Sequence, residues 1–311
     1  MLVSELSLGA MTFGSRMPPI STVDRVGAEA MLERALQAGV NFIDTADAYS
    51  GGESEEILAP FLARHRDEIL IATKLGWGLG ADRPLARDNV MASVEESLRR
   101  LRTDHIDVLY LHRPDRSTPI DETFDALGEL VDRGLVRTVG TSNWSAGETG
   151  YAVGRQRALD REDLTSVQIY WSLVGREAEQ EIVPTCNRLG VGVVVWSPLA
   201  AGYLAGRTDG RRSGLAFPPV DQRQGPAVLQ EVGRVGSEIG ASPAAVALAW
   251  LLQRPEVGSV IVGASTMSQL EQNLAAAELH LEAAHIAALD EVSAVAPIYP
   301  RWWDTAMGVS G

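Results

Sequence analysis

IDVLYLHRPDRSTPIDETFDALGELVDRGLVRTVGTS, residues 106–142, places two apolar runs, IDVLYLH (106–112) and VRTVGTS (136–142), on either side of IDETFDALGELVDRG (120–134). The middle segment spaces its apolar residues three and four apart, as an amphipathic helix does, and closes on Gly134, a helix-stop residue. Strand, helix and strand in that order imply parallel pairing of the two strands. Outward from here the same pattern recurs. Further strand-like runs are LSLGA (6–10), NFIDT (41–45), ILIATK (69–74), TSVQIY (165–170), VGVVVW (191–196) and VGSVIVG (257–263). Between them lie helical stretches such as AEAMLERALQAG (28–39) and NVMASVEESLRRLR (89–102). Eight strands alternating with helices predict a closed (β/α)8 TIM barrel, with residues 1–311 forming a single domain. An open doubly wound sheet is the alternative, but no G-x-G-x-x-G turn follows the first strand.

Two segments break the alternation. Residues 203–225 are rich in Gly, Arg and Pro, and the helix-poor tail 295–311 carries Trp302 and Trp303. Both read as long loops over the active site on the C-terminal face.

Composition narrows the function. The 311 residues are 45% hydrophobic and 22% charged, ordinary for a globular protein. A net charge of −14 argues against a nucleic-acid partner, which requires a basic patch. No apolar run is long enough to span a membrane, and MLVSELSLGA (1–10) lacks the pattern of a signal peptide, so a cytoplasmic location is expected. The single cysteine, Cys186, lies in a helical pattern and reads as inert packing in a reducing compartment.

The chemistry is expected where barrel strands end, because active sites of this fold lie on the C-terminal face. Strand two ends at Asp44, strand three at Lys74, strand four at His112, strand five at Ser142 and Asn143, and strand six near Gln168. Lys74 is the single lysine among 27 Lys and Arg residues. Taken singly, Asp44 reads as a loop cap, His112 as a core histidine and Lys74 as a structural ion-pair partner. Together, three ionisable groups at successive strand ends exceed what a core tolerates unpaired. A lysine held charged by a carboxylate favours the anion of a neighbouring phenol, and Tyr49, in the loop after Asp44, is the available one.

With these positions in hand, the chain resembles the aldo-keto reductase superfamily. The resemblance rests on FIDTADAYSGGESEEIL, IATKLG, DVLYLHRPD, VGTSNWS, VQIYWSLVGR, VVWSPLAAGYLAGR and VIVGASTMSQLEQNLAA, which occur in order over about residues 3–290. It implies an NADPH-dependent enzyme that reduces small aldehyde or ketone substrates. Tyr49 would be the general acid, Lys74 would lower its pKa, Asp44 would hold Lys74, and His112 would orient the carbonyl. One unit of tyrosine pKa corresponds to about 1.4 kcal/mol, and general acid catalysis contributes roughly 10²–10⁴ in rate.

The resemblance also implies a cofactor site. Ser142, Asn143 and Gln168 would hold the nicotinamide carboxamide, with Trp171 stacking on its ring. Trp196, Ser197, Pro198, Leu199, Leu204 and Arg207 would line the pyrophosphate, and Gly263, Ser265, Gln269, Gln272 and Asn273 the adenosine end. The chain departs from its relatives in three ways. No Lys or Arg stands at 265–269 to meet a 2′-phosphate, leaving Arg207, Arg211 and Arg212 for that task and NADH as the less favoured cofactor. Gln272 stands where Glu is usual. The stretch before the first strand is shorter than the usual floor hairpin, so a less covered barrel floor is expected.

Two other functions compete with reduction: a Schiff-base lyase using Lys74, and a cofactor-sensing binding subunit, since the strings also resemble potassium-channel β subunits. Trp77, Trp302 and Trp303 suggest an apolar wall for the substrate, whose identity the sequence does not give. It assigns no metal site and no oligomeric state.

Overall fold

The computed structural model describes residues 2–77, 82–161, 163–207 and 218–308. Eight strands run in chain order around a closed ring: β1 (Leu6–Gly9), β2 (Phe42–Asp44), β3 (Leu70–Leu75), β4 (Ile106–Leu111), β5 (Val136–Ser142), β6 (Ser166–Tyr170), β7 (Gly192–Trp196) and β8 (Val257–Val262). Every pairing is parallel, and β1 closes on β8 with Leu6 opposite Val260. All eight runs read from the sequence are strands, and the fold is the (β/α)8 barrel.

The helices form the outer ring. They are α1 (Arg25–Gln37), α2 (Glu53–His65), α3 (Arg87–Leu101), α4 (Ile120–Asp132), α5 (Ala146–Ala158), α6 (Ile182–Leu189), α7 (Gly225–Ile239), α8 (Pro243–Leu252), α9 (Met267–Leu274), α10 (Ala283–Val292) and α11 (Arg301–Met307). Gly134, two residues beyond α4, takes φ +70, a left-handed conformation that costs glycine little. The N–H groups of Arg133, Gly134 and Leu135 satisfy carbonyls of the last turn before β5 begins. No single helix among the described residues is long and apolar enough to cross a membrane.

Two apolar layers hold the barrel. The larger one lies between strands and helices and includes Leu8, Ile71, Leu109, Val167 and Trp250. The smaller one fills the bore with Phe42, Ala72, Val108, Tyr110, Val194 and Ile261. Tyr110 is buried there with its hydroxyl 2.7 Å from Ser166 Oγ. At the strands' N-terminal end, a cavity of about 400 Å³ opens between Leu2, Asn41, Leu70, Arg137 and Thr138. Reciprocal hydrogen bonds between Ser4 and Asn41 brace this end.

The tail differs from its helix-poor reading, because α11 forms between Pro300 and the left-handed Gly308. Ile298 N–H donates to Gln180, whose side chain donates to the Ala296 carbonyl, tying the tail to the loop after β6. Trp302 and Trp303 are half exposed and stack edge-on against each other. The middle of the 203–225 loop, residues 208–217, lies outside the described residues, and Arg211 and Arg212 with it.

Candidate active site

Ionised groups are expensive in a barrel interior unless each donor and acceptor finds a partner. Lys74, on β3, is buried, and its ammonium meets three oxygens: Asp44 Oδ1 at 2.5 Å, the Thr45 carbonyl at 2.8 Å and the Tyr49 hydroxyl at 3.2 Å. Those contacts use all three ammonium protons. A guanidinium brings five donors in a flat fork and would leave some unpaired here, which explains a lysine in an arginine-rich chain. The other Asp44 oxygen accepts from Gln168 Nε2 at 2.7 Å. Because β2 and β6 stand opposite each other in the ring, this bond crosses the bore.

Burial disfavours the charge on both partners. It lifts the Asp44 carboxyl above the ordinary carboxylate range, against the pull of Lys74 and Gln168. For Lys74 the attraction of Asp44 and Tyr49 outweighs burial and raises its pKa, so the proton stays on the lysine.

Tyr49 opens a short 3₁₀ turn, Tyr49–Gly52, that leads into α2. Ser50 and Gly51 have left-handed dihedrals, and Gly52 has φ +87. That left-handed conformation favours glycine, and a Cβ on Gly52 would also sit 2.7 Å from the Arg100 side chain. Arg100 reaches under the turn to Glu55 Oε2 at 2.6 Å, while Glu55 Oε1 accepts from Thr73 on β3 at 2.6 Å. This buried bridge fixes the turn against the strand that carries Lys74. Asp47 lies in the same loop, its N–H donating to the Lys74 carbonyl. Burial, aided by the charge of Glu55, lifts its carboxyl to about 7. Asp47 and the Glu55–Arg100 bridge escaped the sequence reading. Their only trace was the acid-rich DAYSGGESEE (47–56) around the tyrosine.

His112 follows β4 and is held by its N–H donating to the Leu75 carbonyl at 2.9 Å. Its ring stands edge-on to Tyr49, with centroids 5.8 Å apart. Burial first, then the charges of Lys74 and Arg113, push its pKa down to about 2. The imidazole is therefore neutral at ordinary pH, with one nitrogen a donor and the other an acceptor. Nδ1 is buried and has no hydrogen-bond partner among the described residues.

Beside this cluster, β5, β6 and β7 end together. Ser142 and Gln168 are paired in register and buried. Asn143, at φ +60, donates to the His112 carbonyl and to Ser142 Oγ, and accepts from Trp196 Nε1 at 3.0 Å. The half-buried Trp196 ring lies 5.2 Å from Tyr170.

Trp171 is not part of this group. It is buried against Trp250 of α8, and its indole N–H donates to Glu179 at 2.8 Å. Strand alternation explains the difference. Gln168 and Tyr170 share one face of β6, and the next residue turns toward the helix layer. Trp196 is the indole left at the mouth.

After Trp196 the chain makes tight turns with positive φ at Ser197, Ala200, Ala201, Gly202 and Gly206, a strained segment of the kind that gathers at binding sites. Leu199 is half buried and Arg207 is exposed, while Pro198 and Leu204 are buried beneath the segment. Farther round, Gly263, Gln272 and the N-terminal turn of α9 are at the surface. The Ser265 N–H donates to Gln269 Oε1, and Asn273, buried, donates to the Gly263 carbonyl. Asn273 thus braces the loop from beneath.

The polar groups converging at the ends of β5 and β6, the Trp196 indole at the mouth and the orphaned imidazole nitrogen fit a flat polar ring bound beside a carbonyl. Comparison with known proteins places the chain in a family. The sequence profile described as Aldo/keto reductase family matches residues 5–294. The chain is 35% identical over 298 residues to a probable voltage-gated potassium channel subunit beta of Arabidopsis thaliana, covering 89% of this chain and 88% of that one. A protein of the same description from Oryza sativa subsp. japonica is 35% identical over 295 residues, with the same coverage. The Aldo-keto reductase AMT2 of Alternaria alternata is 33% identical over 316 residues, covering 90% and 86%. Matched along nearly its whole length and built on the same barrel, the chain belongs to the aldo/keto reductase family.

Proposed function

We propose that the protein is an oxidoreductase that uses NADPH to reduce aldehyde or ketone carbonyls to alcohols, with Tyr49 as the general acid. The observation that carries this reading is the buried Lys74 ammonium shared between Asp44 and the Tyr49 hydroxyl, beside a neutral His112. The nicotinamide, when bound, supplies a hydride. The protein's own groups do the rest. Lys74 stabilises the charge left on the Tyr49 oxygen once its proton moves to the carbonyl oxygen. Asp44 keeps Lys74 charged, and Gln168 keeps Asp44 in place. His112 donates a hydrogen bond that orients the carbonyl.

Ser142 and Asn143 would hold the carboxamide, with Trp196 against the ring in place of Trp171. Gln168 stands with them. Ser197, Leu199, Gly263, Ser265, Gln269 and Gln272 offer surface for the rest of the cofactor. Arg207 offers an exposed cation to a 2′-phosphate, which supports NADPH over NADH.

A second reading is a cofactor-binding subunit without turnover, and it is favoured by the names of the two plant relatives. The Schiff-base lyase reading finds less support. A nucleophilic amine must be neutral, whereas Lys74 has all three protons engaged and a raised pKa.

Titration with NADPH and NADH, followed by tryptophan fluorescence, together with NADPH oxidation by simple aldehydes, separates these readings. Tight NADPH binding with aldehyde turnover is expected. Binding without turnover on any aldehyde or ketone would favour the binding subunit, and binding of neither nucleotide would overturn both. A borohydride-trapped adduct on Lys74 would restore the lyase.

A further inference from the structure

Next to His112 the mouth carries a succession of ring contacts. The Trp77 ring lies 4.7 Å from the His112 ring, and the Arg113 guanidinium lies 5.8 Å from the Trp77 centroid. Tyr49, His112, Trp77 and Arg113 therefore follow one another in contact from the half-buried phenol to an exposed cation, and Trp77 is 44% exposed. The chain has more acidic than basic residues, 41 against 27. Yet Arg113 makes no ion pair among the described residues. The nearest acid in sequence is taken: Asp115 accepts from the Leu85 and Ser117 N–H groups and from the Ser117 and Thr118 hydroxyls. The adjacent Arg116 is directed to Glu148 instead. Arg113 follows His112 directly, so the strand end that presents the imidazole also fixes where the guanidinium emerges.

We infer that Arg113, seated on the Trp77 ring beside His112, is a substrate-specificity residue, and that the preferred substrates are aldehydes or ketones carrying a carboxylate beyond a flat apolar body. The indole face offers contact to the flat body, and the planar fork of the guanidinium matches a carboxylate with two parallel hydrogen bonds. An apolar wall on one side of the pair strengthens the attraction over that in open water, and salt weakens it because the other side is exposed. The closeness of the Arg113 charge to the imidazole is also felt in the lowered pKa of His112. This inference rests on the carbonyl-reductase reading.

The test compares 4-carboxybenzaldehyde with its methyl ester, which share a reacting group and a ring and differ in charge. The parent protein is expected to favour the acid by about tenfold in kcat/KM, mostly through KM, and to lose much of that preference at high ionic strength. Arg113→Gln should bring the ratio of acid to ester to about one, and Arg113→Glu should reverse it. Equal use of the two aldehydes by the parent would overturn the inference and leave the reductase reading standing. A preference for the acid that persists in Arg113→Gln would also overturn it. NADPH oxidation with neither aldehyde, nor with any other carbonyl compound, would overturn the reductase reading and the inference together.

Discussion

Replacing Lys74 with Met deletes a buried cation of similar length and tests whether the Asp44–Lys74 pair is as tightly linked as its geometry indicates. In the parent, Asp44 receives Lys74 at 2.5 Å on one oxygen and Gln168 at 2.7 Å on the other. The variant retains only the Gln168 bond. An unpaired buried carboxylate left by such a change costs about 3–5 kcal/mol. The double variant Asp44→Asn with Lys74→Met removes both charges, so it should recover at least half of that loss, and the coupling between the two sites should exceed about 1 kcal/mol. Protonation offers the single variant a partial escape. Without Lys74, the folded-state pKa of Asp44 rises further above its unfolded value, so stability is retained below the unfolded pKa and lost as pH rises through the folded one. The deficit should accordingly be smaller at about pH 5 than at about pH 8. Urea midpoints read by tryptophan fluorescence at both pH values give the comparison. Single and double variants equally destabilised, with no pH dependence, would refute the reasoning, because the loss would then be one of packing and not of charge.

Tyr49→Phe should retain NADPH binding and lower kcat by about 10²–10⁴, and retained turnover would remove Tyr49 as the acid. Trp196→Leu should lose most of the fluorescence quenching by NADPH, whereas Trp171→Leu should keep it and lose stability; the opposite pattern would return the stacking role to Trp171. His112 is neutral in the fold with its pKa depressed to about 2, so its contribution to stability is present above the unfolded value near 6.5 and falls away as pH drops below it. His112→Asn should flatten that acid limb in a plot of urea midpoint against pH, and an unaltered limb would assign it to other groups.

Periodicity made the barrel legible. IDVLYLH and VRTVGTS bracket a helix of unmistakable spacing, and parallel strands buried on both faces leave long apolar runs in any sequence. Asp44, Lys74 and His112 were legible because an ionisable group at a strand end is conspicuous against such runs. What escaped was direction and distance. Trp171 and Trp196 are both indoles at strand ends, and only the facing of β6 places the first on Trp250 and the second at the mouth. The hydrogen bond of Gln168 to Asp44 joins residues 124 positions apart, a separation that spacing rules do not reach. Nor does an exposed arginine announce that the acid two residues away is already engaged by a loop.

That cross-bore bond ties chemistry to completion of the ring. Asp44 stands on the second strand and its Gln168 donor on the sixth, so a fragment ending before β6 has Asp44, Tyr49, Lys74 and His112 and lacks the brace that spans them. Early strands and helices give a helical spectrum without the brace. During refolding, therefore, the return of activity should report ring closure and lag behind the return of helical signal. The interval between the two measures how long the chain spends as an unclosed sheet.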